Sequence, residues 1–291
     1  MIISSLHLLL TYQCNFKCDH CFTWGSPRQT GTMTLATIRD ILRQADALGT
    51  IQSIYFEGGE PFLYYPILRH AVEEAVDRGF QTGVVTNAYW ATDVEDARAW
   101  LRPLAGLIQN LSISSDLYHC DELLSRHARN AQSAAAQLDI PISTISVAQP
   151  DEAEAALDSL MVRGRAAEKL AARVPHHPWT AFTECPYEDL RDPGRLHVDP
   201  LGYVHLCQGL TLGNLFHTPL VEICAAYDPD AHPIVGPLLR GGPAELTRHY
   251  HLTPDETYAD ACHLCYQTRQ TLRPRFPQIL TPDQMYGVDE G

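Results

Sequence analysis

Three cysteines, Cys14, Cys18 and Cys21, stand within eight positions in "TYQCNFKCDHCFTWG", spaced C-x3-C-x2-C. Thiolates are soft ligands suited to zinc, copper(I) or iron–sulfur clusters. Three on one loop can cap three irons of a four-iron cluster and leave the fourth open to a non-protein ligand. A structural zinc site closes with four ligands, and here it would recruit His20 or His7. Cys185, Cys207, Cys262 and Cys265 form a second set, a C-x2-C pair plus two distant cysteines, with Gly202 five positions before Cys207. Four thiolates close either a tetrahedral zinc site or a fully ligated four-iron cluster, and spacing does not separate the two.

The elements that would position these residues follow from hydrophobic periodicity. Short apolar runs at 5–11, 52–57, 82–86, 109–115 and 142–147 alternate with amphipathic stretches at 34–48, 64–79, 93–103, 120–138 and 151–173. This is the rhythm of βα units around a parallel sheet. The helix at 34–48 opens at Thr34, lines Leu35, Ile38, Ile41, Leu42, Ala45 and Leu48 along one face, and stops at Gly49. Beyond residue 174 the rhythm breaks into segments rich in Pro, Gly and His, such as "VPHHPW" and "CPYEDLRDPGR". The expected architecture is α/β: a core over 1–174 and a small cysteine-rich module over 175–291. In the second module a hairpin is expected near 196–207 with "DPLG" as its turn, and short helices near 219–226, 243–250 and 262–273.

A formal charge of -14 and no Lys/Arg run exclude a generic binder of nucleic acid or anionic membranes. The N-terminus "MIISSLHLLLTYQC" has no basic region and no small-residue cleavage site, and its apolar run is too short to span a bilayer. The expected location is the cytoplasm. In a reducing compartment, nine cysteines, an odd number, point to metal or redox chemistry rather than to disulfides.

Cys14-x3-Cys18-x2-Cys21 directly after the first strand resembles the signature of radical S-adenosylmethionine (SAM) enzymes, with His20 where an aromatic residue is usual. The resemblance implies a partial (β/α)6 TIM-like barrel. It also implies a [4Fe–4S] cluster whose open iron chelates SAM, reductive cleavage to a 5′-deoxyadenosyl radical, and hydrogen-atom abstraction from a substrate. "YFEGGEPFL" resembles the family's GGEP motif, placing Gly58, Gly59, Glu60 and Pro61 at the SAM ammonium. Thr86 and Asn87 resemble a SAM-contacting pair; in "SISSDLYH", Ser114 would face SAM and Asp116 the ribose or substrate. "VRGRAAEKL" resembles a Gly-Arg-Ala stretch in which Arg163 or Arg165 pairs with the SAM carboxylate. "HVDPLGYVHLCQGLTLGNL" with "ACHLCY" resembles the twitch module, a shortened SPASM extension that carries an auxiliary [4Fe–4S] cluster. With four protein thiolates that cluster would have no iron open to substrate and would accept or relay an electron, so that dehydrogenation is the leading reaction.

The family also implies an external one-electron donor such as flavodoxin or ferredoxin. The substrate expected is a small polar metabolite or a peptide side chain, the peptide option being weakened because no domain precedes the first strand to grip a leader. Two other readings stay open. In an epimerase or peptide-modifying maturase, Cys120 would return a hydrogen atom to a substrate radical. In a protein of another class, the metals would serve a non-catalytic zinc or iron–sulfur scaffold or redox sensor. Cys224 falls on an apolar helical face and is read as a buried structural thiol.

Overall fold

Alternation along the first strands sorts their side chains onto two faces of one sheet. In β1 (Ile3–Thr11), Leu6, Leu8 and Leu10 are fully buried. They join Ile54 and Phe56 of β2 (Ser53–Gly58), Val84 of β3 (Gln81–Thr86), and Leu111 and Ile113 of β4 (Asn110–Ser114) in one apolar core. The helices α1 (Leu35–Leu48) and α2 (Tyr65–Asp77) bury their stripes in the same core. Thr34 caps α1 by accepting from the Thr37 N–H, and Gly49 ends it in the left-handed region at φ 72°. α3 (Val94–Leu101) and α4 (Arg126–Ala136) follow β3 and β4, and β5 (Ile142–Ile145) completes the parallel run. This is a computed structural model, and it describes residues 1–119, 121–122, 124–150 and 160–288.

The other face carries His7, Leu9, Glu57, Val85 and Ser114, the last four of which line one cavity. There Gly83 makes room for the Tyr55 ring, since a Cβ would lie within 3 Å of three of its ring carbons. Five strands run parallel in the order β5-β4-β3-β2-β1, as expected of a partial α/β barrel.

A sixth parallel strand sits on the opposite edge from the one a simple βα series gives. β7 (Gly194–Val198) pairs with β1, aligning Leu6 with Leu196 and His7 with His197, and β8 (Tyr203–Cys207) and β9 (Leu210–Asn214) extend the sheet antiparallel. The sheet is therefore continuous across residue 174, where composition shifts. The expected hairpin is present. Asp199 accepts from Leu201 N and Tyr203 N, and Gly202 turns the chain at φ 85°. The other oxygen of Asp199 accepts the Tyr12 hydroxyl at 2.6 Å and lies 3.0 Å from His205 Nε2, which fixes the start of the cysteine loop against the hairpin.

Two expected helices are shorter than their amphipathic stretches. α4 begins at Arg126, capped by Ser125, because residues 115–119 wrap around the Asp116 carboxylate. Of 151–173, the described part is helical only at α5 (Arg165–Lys169) and a 3-10 turn at Ala171–Arg173; residues 151–159 lie outside the described residues. β6 (His177–Pro178) pairs antiparallel with β10 (Thr257–Tyr258). α6 (Leu220–Ala226) and α8 (Ala261–Leu272) match the expected short helices. α7 (Val235–His249) breaks at Gly241–Gly242, so that only its second half corresponds to the expected 243–250. No helix among the described residues is long and apolar enough to cross a membrane.

Candidate active site

The cysteine loop leaves the C-terminal end of β1, where ligands of parallel sheets bind. Its backbone is held from several sides. Cys14 N donates to Ser26 O at 3.0 Å, and Cys21 N to Cys18 O at 3.1 Å. Trp24 is 1% exposed and donates from Nε1 to the Tyr266 hydroxyl, while Gln284 Nε2 donates to Thr23 O. The C-terminal residues thus clasp the loop from outside.

Cys14, Cys18 and Cys21 all line one cavity of about 280 Å³. N–H groups point at two of the sulfurs: Phe16 N lies 3.4 Å from Cys14 Sγ and Gly25 N 3.3 Å from Cys21 Sγ. Asn87 Nδ2 lies 3.7 Å from Cys14 Sγ. Such donors favour a charged thiolate or a cluster sulfur environment. Burial works the other way for the free thiols, pushing Cys14 up to about 12 and Cys18 well up, so loading with metal must release protons.

Six of the expected cofactor-binding residues, Gly58, Gly59, Thr86, Asn87, Ser114 and Arg163, line the same cavity. Gly59 admits no side chain, because a Cβ there would fall on the Gln13 carbonyl; its N–H donates to Thr11 O at 2.6 Å. The double glycine is thereby pressed against the start of the cysteine loop, with its backbone open to the cavity. Three thiols, an exposed glycine backbone and a polar strand-end pair around one cavity form a donor set that fits a site-differentiated cluster with a chelating amino acid at its open iron.

Glu60 and Pro61 stand behind the cavity wall rather than in it. Glu60 is fully buried and accepts from Phe62 N (3.0 Å), Thr86 Oγ1 (2.8 Å) and Asn87 N (2.8 Å). Its carboxylate fixes the Thr86–Asn87 pair instead of facing a ligand. Burial pushes its pKa up to about 7, against the pull of those three donors. The folded chain thus holds a proton that the unfolded chain releases above its lower pKa, and this contribution to stability is lost as pH rises through about 7. Glu60→Gln is expected to place an N–H against a donor, to cost about 1–3 kcal/mol, and to remove that pH dependence. Thermal melting of both proteins from pH 5 to pH 8 checks it: the gap should be widest at the acid end.

Arg165 also sits outside the cavity lining. Its Nη1 donates to Cys18 O at 2.7 Å and its Nη2 to Gly25 O at 3.0 Å, with the guanidinium over the Trp24 ring. It clamps the cysteine loop, whereas Arg163, two residues earlier, reaches the cavity. Asp116 is fully buried and accepts from Tyr118 N, Val147 N and, at 2.7 Å, His119 Nδ1. Burial opposes ionisation of Asp116, but the hydrogen bond and charge of His119 prevail and hold its pKa low. Cys120 lies outside the described residues.

Two cavity residues with ligating side chains were not singled out from sequence, His119 and Glu57, whereas His20, weighed there as a zinc ligand, lines the cavity too. Both missed residues stand inside quoted motifs, and Glu57 shares its strand face with Tyr55, two residues away; this alternation was the available signal. His20 packs 4.4 Å from the Tyr118 ring, and burial lowers its pKa to about 4.

The second cysteine set converges as well. Cys185, Cys207, Cys262 and Cys265 line a separate small cavity with Arg163 and Arg269. Arg163 Nη1 donates to Cys207 Sγ at 3.2 Å, so one side chain walls both cavities. Arg269 is almost fully buried and donates to Gln208 O. Cys224 is buried on α6, away from both sets.

The match to the radical SAM superfamily covers residues 8–140. YydG of Bacillus subtilis, a putative peptide biosynthesis protein, is 30% identical over 131 residues, which are 45% of this chain and 41% of that one. The tungsten-containing aldehyde ferredoxin oxidoreductase cofactor-modifying protein of Pyrococcus furiosus is 35% identical over 89 residues, 30% of this chain and 25% of that one. The chain thus spans less than half the length of these curated relatives. The crystal structure of BtrN in complex with AdoMet and 2-DOIA superposes with a TM-score of 0.49 at 16% identity, covering 77% of this chain and 82% of that one. Residues 8–140, the span that holds the cysteine loop and the strand ends that face it, match the radical SAM superfamily.

Proposed function

We propose that this chain is a radical SAM oxidoreductase that dehydrogenates a small polar metabolite or a peptide side chain, with an auxiliary [4Fe–4S] cluster held by Cys185, Cys207, Cys262 and Cys265. The observation that carries the reading is the meeting of these four cysteines in one cavity that shares the Arg163 wall with the first. When bound, SAM and the two clusters would supply a radical for hydrogen-atom abstraction and an acceptor for the second substrate electron.

The chain's own residues divide the remaining work. Cys14, Cys18 and Cys21 would hold the first cluster, and the Gly58–Gly59 backbone, Thr86, Asn87 and Ser114 would orient SAM. Arg163 and Arg269 would offset the negative charge of a four-thiolate site. Removing a hydrogen atom and then an electron leaves a proton to be taken up. His119 lines the cavity, and with Nδ1 directed at Asp116 its Nε2 remains free to accept that proton. Asp116 then acts by orienting His119. The name of the Bacillus relative favours a peptide substrate.

Cys262→Ala separates this reading from a non-catalytic scaffold. The variant is expected to form 5′-deoxyadenosine under reduction while giving no oxidised product. Oxidised product at the wild-type rate overturns the electron-accepting role, and a wild-type protein with zinc and no iron favours the scaffold.

A further inference from the structure

His7 of β1, Glu57 of β2 and His197 of β7 meet from three adjacent strands of the sheet. Their ligand atoms all lie within 4.8 Å of one another. His7 Nδ1 is 3.3 Å from Glu57 Oε2, and His197 Nε2 is 3.2 Å from Glu57 Oε1. The second contact lacks hydrogen-bond geometry, and Glu57 Oε1 is left buried without a hydrogen-bond partner. A buried carboxylate oxygen ordinarily finds a donor. An imidazole nitrogen and a carboxylate oxygen this close with no N–H aligned between them leave both atoms available to a shared cation.

We infer that His7, Glu57 and His197 form a binding site for a borderline divalent transition ion, zinc or iron(II), distinct from both cysteine sets. Two imidazoles and a carboxylate are a ligand set such ions take, with further positions open to water or substrate. Zinc ligands at 2.0–2.1 Å in a tetrahedron stand about 3.3–3.4 Å apart, and the two imidazole contacts of Glu57 are 3.3 and 3.2 Å. The rings are held in place by neighbours: His7 stacks on Tyr55 at 4.8 Å and leans on His197 at 5.0 Å. Glu57 itself lines the active-site cavity. The site therefore adjoins the space a substrate would occupy, and an oxygen or nitrogen donor is the group such an ion would take there.

The test uses anaerobically reconstituted full-length protein, loaded with zinc chloride, desalted, and measured for zinc and iron in the same samples. The wild type is expected to keep about one zinc per chain, and His197→Ala and Glu57→Gln to lose it with iron unchanged. Equal zinc in wild type and variants, or none in the wild type, overturns the site. Should the variants fail to fold, zinc X-ray absorption on the wild type decides: a nitrogen and oxygen shell at about 2.0–2.1 Å supports it, and a sulfur shell at about 2.3 Å places the zinc at cysteines and overturns it.

Discussion

Cys18→Ala is expected to hold roughly half the iron of the wild type and to form no 5′-deoxyadenosine from SAM. The loop survives the substitution, because what holds it at this point is backbone. Arg165 grips the Cys18 carbonyl, Cys21 N donates to the same oxygen, and Cys14 N is tied to Ser26. Loss of one buried sulfur costs on the order of 1 kcal/mol in packing, which leaves a folded chain with two thiols where three are needed. Both neighbouring histidines have other contacts. His20 packs against Tyr118 and His119, and His7 is engaged with Glu57 on the sheet. Anaerobic iron and sulfide quantitation, with chromatography of the nucleoside, reads both effects. Wild-type iron together with continued SAM cleavage would falsify the three-thiol site.

The parts of this site that were legible in the sequence are those with local causes. Strand alternation gave β1 to β5 within two residues at either end, since period-two burial is written into each segment by itself. For β5 the expected 142–147 ran two residues past Ile145. The cysteine spacings and the double glycine were legible because ligation and close backbone approach leave few residue choices. What escaped depends on pairings between distant segments. Nothing in "GRLHV" says that it crosses to the free edge of β1, yet that register brings His197 beside His7. Arg163 and Arg165 looked interchangeable by composition; the positive φ of Gly164 between them sends one toward the cavities and the other under the cysteine loop. Glu60 read as a ligand within its motif because the motif does not reveal that three donors already surround its carboxylate.

Gly164→Ala carries the other large expected effect. Gly164 adopts φ 60° and ψ -133°, a region nearly closed to residues with a Cβ, and populating it with alanine costs about 1–3 kcal/mol. The added carbon would also stand 2.7 Å from Phe22 Cα and 2.9 Å from Cys21 O. Those are backbone atoms of the cysteine loop, which cannot rotate aside as a flexible side chain does, so overpacking adds about 1–3 kcal/mol more. A combined loss of about 4 kcal/mol lowers the melting temperature by roughly 8–16 °C. The strain falls where Arg165 N meets Cys21 O at 3.1 Å, and relief there moves Cys21 away from Cys14 and Cys18. Arg165→Lys tests the same clamp without the clash: one ammonium cannot span the Cys18 and Gly25 carbonyls as the guanidinium fork does. The expectation is lower cluster iron in both variants, with the larger melting shift in Gly164→Ala. Full iron and SAM cleavage in both would show that the cysteine loop holds its shape without this support from α5.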